Sequence, residues 1–453
     1  MYFKTILERP LTMPYLTFIT NMLLFVIYQC ITILSIPFLA LYLVIRKLRG
    51  KVVWGKLSHR IGLIPLPPHN KNIIWLHAVS AGEVLSLEYL IKKIQAEDPS
   101  VHCYVTVGTQ SGYTLAKKHL PSIALSYLPY DFLPIIMLTL NRINPKALII
   151  TEAELWPNVL TLTTLYNIPS YLINARISKK SPLKQTLYNA TLSRLFNCFT
   201  AIYTQDTATV PYLEKHVTKA TSIQYGGTTK SFNVVKKIED FKKQHAEENS
   251  TTSPVLLVGS CHPGELAVYL KLFDECKKTI PNLKLVLVPR HMHWQTELVT
   301  QLTQTNNSWQ IINDANGFTS FDNTLANNDI VAVFLMGTLF SLYRYATLFF
   351  LGGTWVPVGG HNLLEPAAWG IPSIVGPDYH TCTELVTTLH KQETIFIAQD
   401  TTELSAITHK LLHDTTLRTA TTKKLLQWLK HEALTTEAIF NTLLSQLKVL
   451  TKK

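Results

Sequence analysis

Residues 10–45 hold no charged side chain, and from Leu16 onward the run is dense in Leu, Ile, Phe, Val and Tyr. A membrane-crossing helix needs about 20 apolar residues, and two crossings need about twice that plus a turn. The run is therefore long enough for one pass and too short for two. A secretory signal carries an apolar region of only about 7–15 residues; this one is longer, and no small-residue cleavage site closes it. Asn21 and Pro37 leave room for a kinked or partly interfacial helix. The far flank, Arg46-Lys-Leu-Arg-Gly-Lys51, is basic, whereas the near side has only Lys4, Glu8 and Arg9. Positive charge stays on the cytoplasmic side, so residues 1–50 are expected to form a single-pass or monotopic anchor at a bacterial inner membrane. The catalytic body would then lie on the cytoplasmic face, and the basic cluster would meet anionic head groups.

Only 16% of the 453 residues are charged, yet the formal net charge is +12. The surplus is uneven: net +7 over residues 1–60, +6 over 61–250 and −1 over 251–453. A uniform basic coat for nucleic acid is disfavoured, and an anionic membrane or substrate on the N-terminal side is indicated. Six scattered cysteines without a CxxC pair signal neither a zinc site nor a disulfide framework, which fits a reducing compartment.

Beyond Arg60, short apolar runs alternate with helical patterns. Strands are expected at 72–77, 102–107, 124–128, 146–151, 169–173, 200–204 and 223–225. A second set is expected at 255–258, 283–288, 330–335, 348–351, 373–375 and 394–397. Apolar strands separated by helices imply parallel sheets covered on both faces. The polar stretch 236–253 interrupts the rhythm and reads as a linker. The expected fold class is thus α/β: two Rossmann-like domains facing a cleft, with an N-terminal anchor helix. The expected boundaries are 1–50 (anchor), 51–235, 236–253 (linker), 254–432 and 433–453 (a C-terminal helix).

Six motifs fall where such strands end. His77-Ala-Val-Ser-Ala-Gly-Glu83 offers a carboxylate as a base, although Ser80 and Glu83 also fit a capping box. Thr151-Glu-Ala-Glu-Leu-Trp-Pro-Asn158 places Glu152 and Glu154 after a buried strand; they could equally be helix N-terminal acids. Tyr225-Gly-Gly-Thr-Thr-Lys230 could hold an anion, or could be a plain turn. Gly259-Ser-Cys-His-Pro-Gly-Glu265 opens a helix that could receive phosphate, and a nucleophilic role for Cys261 is not favoured. In Val288-Pro-Arg-His291, Arg290 suits a phosphate. The sixth, from Leu351 to Ala367, has four glycines before Asn362 and Glu365; a cap explains part of it, and close approach to a ligand explains the flexible backbone.

Together with Asn174-Ala-Arg176, these motifs resemble, in order and spacing over residues 45–430, the Kdo transferases of Gram-negative bacteria. Those are membrane-anchored GT-B glycosyltransferases that add 3-deoxy-D-manno-octulosonic acid (Kdo) to a lipid A precursor. The resemblance implies CMP-Kdo as donor, lipid IV A as acceptor, inner-membrane lipids as neighbours, no nucleic-acid partner, no metal or other cofactor, and inversion at the anomeric carbon. It implies Glu83 as general base, and Glu152 and Lys230 as stabilisers of the transition state. Pro289, Arg290, Met336, Gly337, Asn362, Leu363, Leu364 and Glu365 would contact CMP. The chain departs from the family at Thr338, where Glu is usual, at Ala153 and Cys261, and around Lys230. Two other readings stand beside this one: a membrane-associated GT-B enzyme with another nucleotide-sugar donor, and an inactive anchored relative.

Overall fold

The computed structural model describes residues 15–49, 56–67, 72–152, 154–176, 185–218, 220–245 and 253–451. Expectations for residues 1–14, for Lys51 of the basic flank, for Ala153 and for residues 246–252 of the proposed linker fall outside that range. The chain divides into two compact units, Met1–Thr229 with Ala433–Lys453, and Lys230–Glu432.

The first unit is built on seven strands: β1 (Asn72–Ala78), β2 (Val101–Val107), β3 (Ala124–Tyr127), β4 (Pro145–Thr151), β5 (Ser170–Ala175), β6 (Ala201–Thr204) and β7 (Ser222–Tyr225). They lie in the order β3-β2-β1-β4-β5-β6-β7, all parallel. The central strands are apolar and buried almost throughout, because helices cover both faces of a parallel sheet. One core cluster joins Trp75, Tyr104 and Leu148 on the strands to Ile136, Leu160 and Leu213 on the helices.

The second unit repeats the plan with β8 (Val255–Cys261), β9 (Lys284–Pro289), β10 (Trp309–Ile312), β11 (Ile330–Val333), β12 (Leu348–Leu351), β13 (Ser373–Val375) and β14 (Ile395–Ile397). Their order is β10-β11-β9-β8-β12-β13-β14, again parallel. In each sheet the strand order reverses beside the first strand, between β1 and β4 and between β8 and β12. Ligands of open α/β sheets bind outside the carboxyl ends of the strands at such a reversal.

Three elements differ from expectation. Strand β10 was not anticipated: it is a four-residue edge strand, Trp-Gln-Ile-Ile, only partly buried and bounded by polar residues. The polar stretch from Lys236 is helical as far as Gln244, within the helix Thr229–Gln244. Its composition is polar, but Val234, Val235, Ile238 and Phe241 recur at helical spacing and pack against Phe340, Leu364 and Leu429. The C-terminal helix is longer than expected, Thr415–Thr451. Its end belongs with the first unit, where Phe440 stacks on Tyr89, Lys448 pairs with Glu97 and Asn72 Nδ2 donates to the Thr451 carbonyl.

The anchor region is one helix, α1 (Tyr15–Leu48), with Pro37 inside it. Its stretch Met22–Arg46 is long and apolar enough to cross a membrane by length and composition.

Candidate functional site

In the first unit the expected residues gather at the carboxyl edge of the sheet. Glu83 lies in the first turn of the helix Ala81–Glu97, just past β1, and is 6% exposed. Its Oε1 accepts from Ser80 N (3.2 Å) and Ser80 Oγ (2.8 Å). Its Oε2 accepts from Val79 N (2.8 Å) and from Thr151 Oγ1 (2.8 Å) at the end of β4. The capping box is therefore real, and the same carboxylate also spans the strand reversal. Glu152 follows at once, with φ +59, in the left-handed region that non-glycine residues enter at a cost. The Glu154 carboxyl is pushed up, first by burial and then by the nearby charges of Glu83 and Glu152. Carboxylates thus concentrate where β1 and β4 end.

His77 is buried on β1, and burial pushes its imidazole down to about 4. Nδ1 lies 3.1 Å from the Thr106 carbonyl and 2.9 Å from the Thr106 hydroxyl. Nε2 has no hydrogen-bond partner among the described residues. Asn174, at the end of β5, acts on the segment that leads to Lys230. Its Oδ1 accepts from Thr229 N (3.0 Å), and its Nδ2 bonds the Thr229 hydroxyl. Asn174 therefore fixes the residue before Lys230, at the first turn of the helix Thr229–Gln244. The sequence motif marked Asn174; the partner became visible only in three dimensions.

In the second unit Pro289 and Arg290 follow β9, Met336 and Gly337 follow β11, and residues 362–365 follow the glycine-rich loop after β12. All lie at or beyond the carboxyl ends of strands in the middle of the sheet. Pro289 is buried and Arg290 exposed. Met336 is 71% exposed, and Gly337 has φ +86 with open space where a Cβ would stand. Thr338 is turned inward, its hydroxyl donating to the Leu335 carbonyl at 2.8 Å. Asn362 Oδ1 accepts from Leu364 N at 2.9 Å in a turn that leads into the helix Leu364–Ala368, while Leu363 and Leu364 are buried. Glu365 pairs with Lys237 at 3.0 Å.

Two features at this edge escaped the sequence. The first is Glu265, fully buried, which grips the start of the glycine-rich loop. Its two oxygens share Gly353 N (2.9 and 2.8 Å); Oε1 also accepts from Thr354 N (3.0 Å) and Trp355 N (2.9 Å), and Oε2 from His262 N (3.0 Å). Burial pushes this carboxyl up, against the pull of those four backbone donors. Gly352 is required beside it, because a Cβ there would stand 2.3 Å from the Ser260 carbonyl oxygen. Glu265 holds the same station in the second unit that Glu83 holds in the first: three residues after the cap that follows the first strand, reaching across the reversal. The second feature is a histidine pair. His262 Nε2 lies 3.4 Å from His361 Nε2 with the rings stacked, and His291 and Trp294 adjoin His262. Burial, then His361, His291 and Arg290, push His262 down to about 4; His361 is lowered by burial and then by Arg290 and His291. Arg290 brings an exposed guanidinium to this edge beside neutral imidazoles, as suits an anion. Among the described residues no group of three or more His, Cys, Asp or Glu is placed to hold a metal ion.

The family described as 3-deoxy-D-manno-octulosonic-acid transferase (kdotransferase) matches residues 55–233. A 3-deoxy-D-manno-octulosonic acid transferase of Aquifex aeolicus is 30% identical over 344 residues, 76% of this chain and 86% of that one. The enzyme of the same name from Haemophilus influenzae is 30% identical over 310 residues, 67% of this chain and 70% of its own. Among solved structures, a UDP-GlcNAc 2-epimerase from Neisseria meningitidis superposes with a TM-score of 0.56 at 13% identity, covering 83% of this chain and 100% of that one. That likeness speaks for the two-sheet GT-B architecture alone. With 30% identity spanning most of both chains, and with the motif residues gathered at the carboxyl edges of their sheets, the chain belongs to the 3-deoxy-D-manno-octulosonic acid (Kdo) transferase family of glycosyltransferases.

Proposed function

We propose that the protein transfers Kdo from CMP-Kdo to a hydroxyl of the lipid A precursor lipid IV A, with inversion, at the cytoplasmic face of the inner membrane. The observation that carries this reading is Glu83, held as an acceptor by four donors at the β1–β4 reversal in a chain of this family. A base must present an unprotonated oxygen in a fixed direction. Ser80 and Thr151 supply that orientation through hydroxyls that can rotate. Glu83 takes the proton of the acceptor hydroxyl as its oxygen bonds to the anomeric carbon. The bond from that carbon to the CMP phosphate breaks, and CMP departs with the electron pair. Arg290, with the neutral imidazoles of His262 and His361 beside it, offsets the charge on the leaving phosphate, as fixed dipoles and cations do for developing charge. Lys230 and Glu152 act on the charge that develops during transfer. Asn362 through Glu365, with Pro289, Met336 and Gly337, hold the nucleotide, and Glu365 accepts from ribose hydroxyls.

Purified protein, CMP-Kdo and lipid IV A, with products resolved by mass, test the reading directly. The wild type adds Kdo, and Glu83→Ala abolishes transfer while CMP affinity stays within about twofold, because charge neutralisation at the nucleotide is independent of the base. Full activity of Glu83→Ala removes Glu83 from the base role. A calorimetric preference for UDP over CMP removes the donor assignment.

A further inference from the structure

The exposure of α1 is strongly one-sided. Of its polar side chains, Tyr28, Gln29, Thr32 and Ser35 recur at helical spacing and are all at least half-buried. Tyr28 Oη donates to Asp131 Oδ2 (2.8 Å), and Gln29 Nε2 donates to Asn158 Oδ1 (2.6 Å). The seat is built for them: Asp131 also accepts from Asn158 N and Val159 N, at 2.9 and 3.0 Å. Arg194 lies 5.1 Å over the Phe25 ring on the same side. The opposite face is apolar and bare along the helix, with Leu23 56%, Leu34 69%, Phe38 73% and Leu48 81% exposed.

A crossing cannot be reconciled with that docking. From Cys30, the residue after the docked Gln29, to Arg46 the helix rises about 24 Å at 1.5 Å per residue, short of the roughly 30 Å hydrocarbon core. A crossing with the basic Arg46 end on the side of the body would instead carry the docked Tyr28 and Gln29, and Asp131 and Asn158 with them, about 26 Å along the helix from that end, most of the way through the hydrocarbon core. A crossing placed before Tyr28 would leave the bare face beyond Ile31 in water.

We propose that α1 lies flat in the membrane interface, its polar stripe clipped to the first unit and its apolar face sunk among the acyl chains. This rests on the membrane reading above and specifies how the membrane is met. Further exposed apolar side chains lie on neighbouring segments of the same unit. Leu57, Leu63 and Leu66 are 49–53% exposed, and Met137 and Leu138 on the helix Leu133–Ile143 are 40% and 38% exposed. Gly62 lies against Ile135 of that helix, so the two stretches are neighbours. Arg46, Arg49 and Lys56 supply positive charge at this end without a nearby acid in sequence, as anionic head groups require.

The test is spin-label depth in the full chain, reconstituted in phosphatidylethanolamine–phosphatidylglycerol vesicles. Labels go at Leu23→Cys, Leu34→Cys and Ile45→Cys, three exposed positions near one face, in a background lacking Cys30, Cys198 and Cys382. Collisions with oxygen and a nickel chelate report depth. A helix in the plane places all three labels at a common depth, about 5–10 Å below the head groups. A crossing spreads them over the core, because the axial rise from Leu23 to Ile45 is about 33 Å, and that result overturns the proposal. Labels shielded from both quenchers without vesicles identify a second copy of the chain as the occupant and also overturn it. Failure to bind vesicles at all removes the membrane reading itself.

Discussion

Replacing Glu265 with Gln tests the claim that one carboxylate holds the glycine-rich loop in place. The side chain keeps its size, so packing is preserved and only the donor–acceptor match changes. The present carboxylate meets donors alone: Gly353, Thr354, Trp355 and His262 backbone N–H groups. With the amide oxygen in the Oε1 position, three of these bonds survive as neutral ones. Charge-assisted bonds are worth about 1.5–3 kcal/mol and neutral ones about 0.5–1.5, so each survivor is weakened by roughly 1 kcal/mol. The amide nitrogen then faces His262 N–H, donor against donor, and a buried orphan costs about 1–3 kcal/mol more. Relief from burying a charge returns part of this, which leaves a net loss of about 3 kcal/mol in the second unit. Urea unfolding of the full chain, followed at the tryptophans, reads it. At an m-value of about 3 kcal/mol/M the midpoint of that unit falls by about 1 M. CMP affinity by calorimetry falls at least tenfold, because residues 352–361 lead directly into Asn362. A midpoint within about 0.2 M of wild type, with unchanged CMP affinity, would refute the argument that Glu265 supports the loop.

Other outcomes follow from the same geometry. Asn174→Ala releases Thr229 and lowers kcat for Kdo transfer about tenfold or more with little change in donor KM, since a small misplacement of a reacting-site group is costly; equal kcat in the two proteins removes Asn174 as a positioning residue. Gly352→Ala forces a methyl against the Ser260 carbonyl and costs at least the upper end of the roughly 1–3 kcal/mol typical of overpacking, read as a lowered Tm. His77 supplies a pH dependence. The unfolded chain takes up a proton on His77 near pH 6.5 that the folded chain refuses until about 4. Its contribution is therefore complete above pH 6.5 and is lost as pH falls toward 4, by about 3 kcal/mol at 1.36 kcal/mol per unit. His77→Gln flattens that slope in urea titrations at stepped pH, and an unaltered slope assigns the acid sensitivity to other groups.

Most of the scaffold was legible because buried parallel strands are continuous apolar runs with little ambiguity of period. Strands such as β12 and β13 fall where hydropathy places them. β10 was hidden because an edge strand is half-wet and carries no such run. The helix Thr229–Gln244 was mistaken for a linker because its wide polar face dominates the composition, although Val234, Ile238 and Phe241 already marked a buried stripe. At the site, residues with catalytic chemistry could be found by motif and family resemblance. Glu265 could not, because three of its four donors are backbone N–H groups some ninety residues away, which have no side-chain signature. His262 and His361 lie 99 residues apart and announce their pairing only through the fold. In α1 the uncharged run was plain, but the run alone did not say that Tyr28 and Gln29 would meet Asp131 and Asn158.

The matched stations of Glu83 and Glu265 lead to unequal freedom. Each carboxylate closes the same gap in a repeated scaffold. The hydroxyls of Ser80 and Thr151 can swing away from Glu83 by rotation about a single bond, leaving the Val79 and Ser80 amides in place. The amides of Gly353, Thr354 and Trp355 can leave Glu265 only if the chain after β12 unwinds. One slot thus becomes a latch and the other a rivet. A duplicated architecture can divide labour in this way without changing the acid, only by changing how many of its partners are side chains: two of four at Glu83, none at Glu265.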